Sequence, residues 1–205
     1  MKCLAIFGAS GHGKVVAEIS EYLGWDKVVF FDDAWPKVSQ NGAWPVVGNS
    51  VRLLGQLSGF AGVVIAIGNN KIRAEKLSWL AEHSAPIVSL IHPSAVISRY
   101  ASLGKGCVVM AGVIVNADTN IADGVILNTG SSVDHDCKID ACAHISPGAR
   151  LAGGVQVGAQ SWIGIGACVK QLISIGRQTV VGAGAVVVTD LPDGVTAVGV
   201  PAKAI

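Results

Sequence analysis

At 205 residues the chain is long enough for one large domain or two modest ones. Apolar residues make up 51% of it and charged residues 14%, with a formal net charge of +1. It therefore lacks the basic balance of a nucleic-acid binder and, having no run of eighteen apolar residues, it lacks a membrane span.

The opening, MKCLAIFGASGHG, is apolar too briefly for a secretory signal, so a cytoplasmic protein is expected. Residues 2–7 read as a strand that ends in Gly8-Ala9-Ser10-Gly11-His12-Gly13. Helical spacing follows through Val15, Val16, Ile19 and Leu23, which predicts a helix over 14–23 stopped by Gly24. Residues 27–31 form a second β-rich run closed by Asp32-Asp33. Strand, glycine loop, helix and strand, with an acidic pair about twenty residues on, is the opening of a nucleotide-binding βαβ unit. Glycines let the backbone approach a phosphate, and the helix N-terminus offers unpaired N–H groups. The spacing Gly8-x-x-Gly11-x-Gly13 departs from the dinucleotide fingerprint, which disfavours a nicotinamide cofactor.

Residues 34–45 read as a loop whose Trp35 and Trp44 either plug the core or stack on a ligand base. A short extended piece at 46–48, a short helix over 50–57 capped by Asn49 or Ser50, an apolar strand over 62–67, a helix over 71–82 and a strand over 86–91 complete a small α/β domain of four or five parallel strands. His92 and His83 are read as structural and solvated, respectively.

From Ile97 to Val187 every sixth residue is Ile, Val or Leu, sixteen positions without a break. Four residues after each stands a second rank, fourteen of whose sixteen members are Ala, Ser, Thr, Cys or Val. Neither a helix nor a plain strand has this period; a hexapeptide β-helix does, with three six-residue faces per coil. Slightly more than five coils at the usual strand spacing make a prism roughly 25 Å long. The predicted division is thus a Rossmann-like domain over 1–90 and a β-helix over 91–205, closed by a Pro- and Gly-rich tail or hairpin. The five cysteines, Cys3, Cys107, Cys137, Cys142 and Cys168, form no C-x-x-C pair and are expected to be reduced packing residues.

Ionisable groups are scarce in the prism, so Asp134-His135-Asp136 stands out. An imidazole beside a carboxylate is an oriented general base, although an exposed histidine on a β-helix face is the plainer reading. His144 lies nine residues on, half a coil away, so the two histidines should point to different sides of one prism. They could meet only across an interface between chains, which predicts an oligomer with sites between subunits.

In these segments the chain resembles the PglD/NeuD-type sugar acetyltransferases of bacteria, within the hexapeptide-repeat acyltransferases. The resemblance is carried by GASGHGKVVAEI, FDD, AIGNNKIR, IHPSAVIS, SSVDHDCKIDACAHISPGA and VGVPAK and covers essentially the whole chain. It implies a left-handed β-helix, acetyl-CoA as co-substrate and a homotrimer with sites between prisms. It implies His135 as general base and Asp136 as its orienting carboxylate. The family commonly has Glu at that position, so Asp134 stays open as the partner. His144 would lie near the acetyl group from the adjoining subunit, the Gly153 N–H near the thioester oxygen, and Gly199, Pro201 and Lys203 against coenzyme A. Gly8, Ser10, Gly11, His12, Gly13, Asp32 and Asp33 would line the pocket of a nucleotide sugar. The implied reaction is N-acetylation of a UDP-linked 4-amino-deoxy sugar, as in bacillosamine-type glycan pathways, with O-acetylation of sialic acid or another sugar hydroxyl as the alternative. No metal is expected: a zinc hydratase on such a prism would need a third histidine. An inactive scaffold would have no need of the DHD segment.

Overall fold

The computed structural model describes residues 1–205. The chain divides into two compact units, Met1–Pro93 and Ser94–Ile205, against an expected division after residue 90.

In the first unit a parallel sheet is built from β1 (Cys3–Phe7), β2 (Lys27–Phe31), β4 (Trp44–Gly48) and β5 (Gly62–Ile65), with β3 (Gln40–Asn41) added antiparallel at the edge. The order is β3-β4-β2-β1-β5. Strand order reverses at β1, and the glycine loop leaves its C-terminal end, where open α/β sheets hold their ligands. The helices are α1 (Gly11–Tyr22), α2 (Ser50–Leu54) and α3 (Asn70–Glu82). Asn49 and Asn69 cap the last two, their side chains accepting from the N–H groups of Arg52 and Ile72. Phe7, Phe31, Leu53, Val63, Ile65 and Leu80 make the core.

Three expectations need correction here. The first helix starts at Gly11 rather than residue 14, because the chain is already helical after the extended Ser10. The loop over 34–45 contains a small hairpin instead, turned by Gly42 at φ +64. The strand over 86–91 shrinks to one bridge, Val63 to Ile87, and β6 (Leu90–Ile91).

The second unit is the predicted β-helix. Two-residue strands pair in parallel with the strand eighteen residues on, as Ile114–Val115 does with Ser132–Val133 and that pair with Arg150–Leu151. Fourteen of the sixteen first-rank residues are at most 3% exposed; Ile97 and Leu103, in the open first coil, are half-buried. The polar members of the second rank have a task of their own. The hydroxyls of Thr119, Ser161 and Thr179 donate to the carbonyl oxygens of Asp134, Gly176 and Pro192, fifteen, fifteen and thirteen residues on. Buried hydroxyls so satisfied tie three of the coils to the corner of the next, whereas Ser131 Oγ is buried without such a bond. The tail forms the expected hairpin: Thr196–Val198 extends one face beside Val180–Val181, and Lys203–Ala204 returns antiparallel. No helix in the chain is long and apolar enough to cross a membrane.

Candidate active site

The turn after Ser132–Val133 holds the Asp134-His135-Asp136 segment. Its backbone is fixed by Thr119, whose hydroxyl donates to Asp134 O at 2.7 Å and accepts the Cys137 N–H at 3.3 Å. Asp136 adopts φ +59, a left-handed conformation that aspartate tolerates. That twist turns its carboxylate back, and Oδ2 lies 2.7 Å from His135 Nδ1. The short aspartate therefore reaches the imidazole. Asp134 is engaged elsewhere: its Oδ1 accepts from Asn116 Nδ2 at 2.7 Å and from the His135 N–H at 2.9 Å. The Asn116 amide and then the His135 N–H hold the Asp134 carboxyl below the usual range. The bond to Asp136, and after it the charge of Asp134, raise the His135 imidazole above its ordinary value. With Nδ1 bound to a carboxylate, Nε2 is the nitrogen left to take a proton.

Gly153 stands one coil above His135. A methyl placed on it would come within 2.5 Å of the imidazole Cε1 and 2.6 Å of Nε2, so only glycine lets the ring lie against this backbone. The flanking N–H groups of Ala152 and Gly154 are bonded to Val169 O and His135 O. A cavity of about 400 Å³ opens here, lined by Asp134, His135, Asp136, Ala152, Gly153, Gly154, Gln171 and Leu172. A larger groove of about 520 Å³ crosses another face between Lys138 and Asp193. It holds no imidazole, so volume does not mark the chemistry. The nearest thiol, Cys137, points inward, donates to Ala152 O, and is raised by burial. Burial also lifts the Cys107 thiol to about 11. Neither supplies thiolate at neutral pH.

His144 lies on another face, as the half-coil spacing requires, and is buried. Its Nε2 is 3.1 Å from Asn128 Nδ2, and its ring packs on Trp162 with centroids 4.2 Å apart. Gly199, at φ +98, and Pro201 form the turn of the tail hairpin, with Lys203 exposed on its return strand.

In the first unit, the glycine loop residues take different parts. A methyl on Gly8, which sits at φ +114, would meet Ala66 O at 2.7 Å, and one on Gly13 would strike Gly8 O and Phe30. Gly11, by contrast, faces open space. Ser10 precedes α1 in extended form without a side-chain cap. The His12 ring nitrogen Nε2 is buried without a hydrogen-bond partner. Burial, helped by the positive charge of Arg73, brings its pKa down to about 4, so the ring is neutral. Asp32 is spent on the loop: Oδ2 accepts the Ala9 N–H and Oδ1 the Ala34 N–H. Asp33 accepts the Ser50 N–H and pairs with Lys76 at 2.8 Å.

Sequence reasoning missed three residues. Asn116 holds Asp134, Leu172 walls the cavity, and the buried Arg73 donates to the carbonyls of Ile67 and Gly68 and to Asn70 Oδ1 beneath the glycine loop. The first two were accessible: residues eighteen apart stack, which puts Asn116 under Asp134 and Leu172 over Gly154.

The chain is similar to known proteins over its whole length. Residues 3–80 match the family described as the PglD N-terminal domain. The acetyltransferase domain of PglB from Neisseria gonorrhoeae is 44% identical, with all of both chains covered and a TM-score of 0.95. PerB from Caulobacter crescentus, solved with CoA and GDP-perosamine, is 42% identical over all of this chain and 98% of that one, also at 0.95. A UDP-N-acetylbacillosamine N-acetyltransferase of Bacillus subtilis is 38% identical over 113 residues, 54% of this chain; the match spans about half of that curated relative, 52%. With full-length similarity to two such structures and a family match over residues 3–80, the chain belongs to the family of PglD-type bacterial sugar N-acetyltransferases.

Proposed function

We propose that the protein transfers the acetyl group of acetyl-CoA to the amino group of a UDP-linked 4-amino-deoxy sugar. The observation that carries this is the His135–Asp136 pair lying against the Gly153 backbone at the mouth of a cavity. In this reading the neutral amine attacks the thioester carbonyl and a C–N bond forms. Nε2 of His135 takes the amine proton, and Asp136 stabilises the imidazolium. The Gly153 N–H donates to the oxygen as it gains charge. The C–S bond then breaks and coenzyme A leaves as thiolate. No acyl-enzyme is required, in keeping with thiols held protonated.

The glycine loop and the first turn of α1 are the proposed nucleotide subsite, with Gly8, Ser10, Gly11, His12, Gly13, Asp32 and Asp33 as its lining. Gly11 is open to a ligand, and the α1 N-terminus favours phosphate. Gly199, Pro201 and Lys203 are proposed to meet coenzyme A. The proposed assembly is a homotrimer in which His144 of one chain faces the site of the next, which requires the Asn128–His144–Trp162 cluster to open toward a ligand. Sedimentation of the free protein tests the trimer.

His135→Ala should lower turnover roughly 10²–10⁴-fold. The assay offers acetyl-CoA with UDP- and GDP-linked 4-amino sugars and with CMP-sialic acid. Near-unaltered turnover in the variant removes His135 from the role. Preference for the GDP sugar or for a hydroxyl acceptor overturns the assignment of the acceptor.

A further inference from the structure

Two consecutive glycines form the floor of the cavity, and each is covered by a side chain from a different coil. His135, from the coil below, lies over Gly153. Leu172, from the coil above, lies over Gly154, with its Cδ2 2.6 Å from where a Cβ would stand. The Leu172 N–H also donates to Gly153 O at 3.0 Å. Base and leucine thus face one another across the one backbone segment against which the thioester is proposed to lie.

Leu172 is out of place by ordinary criteria. It has φ +61, where the other non-glycine residues of the prism turns are Asp118, Asp136, Cys142, Gln160 and Gln178, so it is the only aliphatic side chain held there. A bulky residue in this region is an outlier, and such outliers cluster at sites where the conformation is used. It is also 77% exposed, and its packing on Gly154 does not account for an apolar side chain held in water.

We infer that Leu172 sets the length of the acyl chain the site accepts, a specificity role that rests on the proposed transfer from an acyl thioester. With the amine beside His135 and the carbonyl oxygen on the Gly153 N–H, the methyl carbon of an acetyl group is directed toward Leu172. A propionyl or butyryl group would need the space that the isobutyl group fills. Beside it the wall is Ala152 and glycine backbone, which has nothing to retract, and Gln171, whose side chain is exposed.

The test measures binding of acetyl-, propionyl- and butyryl-CoA by calorimetry, on the full chain and on Leu172→Ala and Leu172→Gly, alongside the melting temperature. One methylene against a shaped wall is worth roughly 10–200-fold. The unaltered chain should therefore favour acetyl-CoA over butyryl-CoA by at least about tenfold, and both variants should erase most of that ratio by binding butyryl-CoA more tightly than the unaltered chain does. Leu172→Gly, which suits the left-handed turn, should melt no lower than the unaltered chain; it carries the test should Leu172→Ala not fold. An unchanged ratio, an equal loss for all three thioesters, or a lower melting temperature in Leu172→Gly would each overturn the inference and leave Leu172 structural. If the unaltered chain binds no acetyl-CoA, the proposed function itself fails and takes the inference with it.

Discussion

Gly153→Ala separates the geometry of the site from the stability of the fold. Gly153 does not have the positive φ that marks the prism's turn glycines, so alanine is compatible with its backbone. Its methyl would nevertheless come within 2.5 to 3.1 Å of three atoms of the His135 ring. A normal carbon contact is about 3.5–4.0 Å, so the imidazole must retreat by roughly 1 Å. It can do so cheaply, because its side chain is 61% exposed and swings into water. Gly153 is itself buried, but what covers it is this movable ring, so stability should change by no more than about 0.5 kcal/mol. Activity should not escape so lightly: a 1 Å misplacement at the reacting centre costs on the order of 10²-fold, about 2.7 kcal/mol. The assay is turnover with acetyl-CoA and the amino sugar, read beside chemical denaturation. The double variant with His135→Ala adds a decisive check. If the methyl acts by displacing the ring, Gly153→Ala should cost nothing further once the ring is gone, a strong departure from additivity. Full additivity, or normal turnover in Gly153→Ala alone, would refute the stacked arrangement as the source of catalysis.

Asp136→Asn removes the largest cause of the raised His135 pKa. A general base must be neutral, so kcat/KM should rise with pH through that raised value, and in the variant the rising limb should move toward the ordinary histidine value near 6.5 while the plateau falls; a limb that stays put while the plateau falls would give Asp136 a purely structural part. The same pair affects stability very little, since both groups are in water and screened. Gly8→Ala tests the other unit: at φ +114, with a Cβ 2.7 Å from Ala66 O, it should destabilise the fold by about 1–3 kcal/mol, seen as a lower denaturant midpoint; an unchanged midpoint would mean that the loop can rearrange and that Gly8 is free to serve a ligand alone.

Legibility in the sequence follows the periods. The six-residue register needs only side-chain size, so it located the core of the prism almost residue by residue, from Val109 to Val187. The three-residue DHD segment likewise drew the eye to an imidazole beside a carboxylate, since charges are few, and the structure pairs the two. What the register did not reveal is which carboxylate turns inward to the ring. That depends on a left-handed φ at Asp136 and on Asn116 drawing Asp134 away, and neither is a matter of composition. In the first unit the start of α1 was misplaced by three residues because glycines there read as loop. Gly13 is helical all the same, its missing side chain serving close packing on Gly8 O and Phe30 rather than flexibility. Arg73 was hidden for the opposite reason: an arginine on a helix reads as solvated, and here the carbonyls of Ile67 and Gly68 and the side chain of Asn70 make its burial tolerable.

The eighteen-residue period does what the six-residue period cannot. The shorter one fixes which residues point inward, and the longer one fixes which outward residues touch. Asn116 with Asp134, His135 with Gly153, and the column Asp136, Gly154 and Leu172 are all one-coil pairs. Each proposed function thus falls to a separate coil at a matching corner, with Asn116 supporting a carboxylate from below, His135 in the middle, and the Gly153 backbone and Leu172 above. Corners joined by ladder hydrogen bonds such as Asp136 N–H to Ala117 O and Gly154 N–H to His135 O hold such a column rigidly. This explains why the site needs so few residues. A prism without insertions cannot fold a loop over its own ligand, but stacking gives every side chain at a corner two fixed neighbours, and substituting a glycine there changes the geometry of the residue one coil away before it changes the stability of its own.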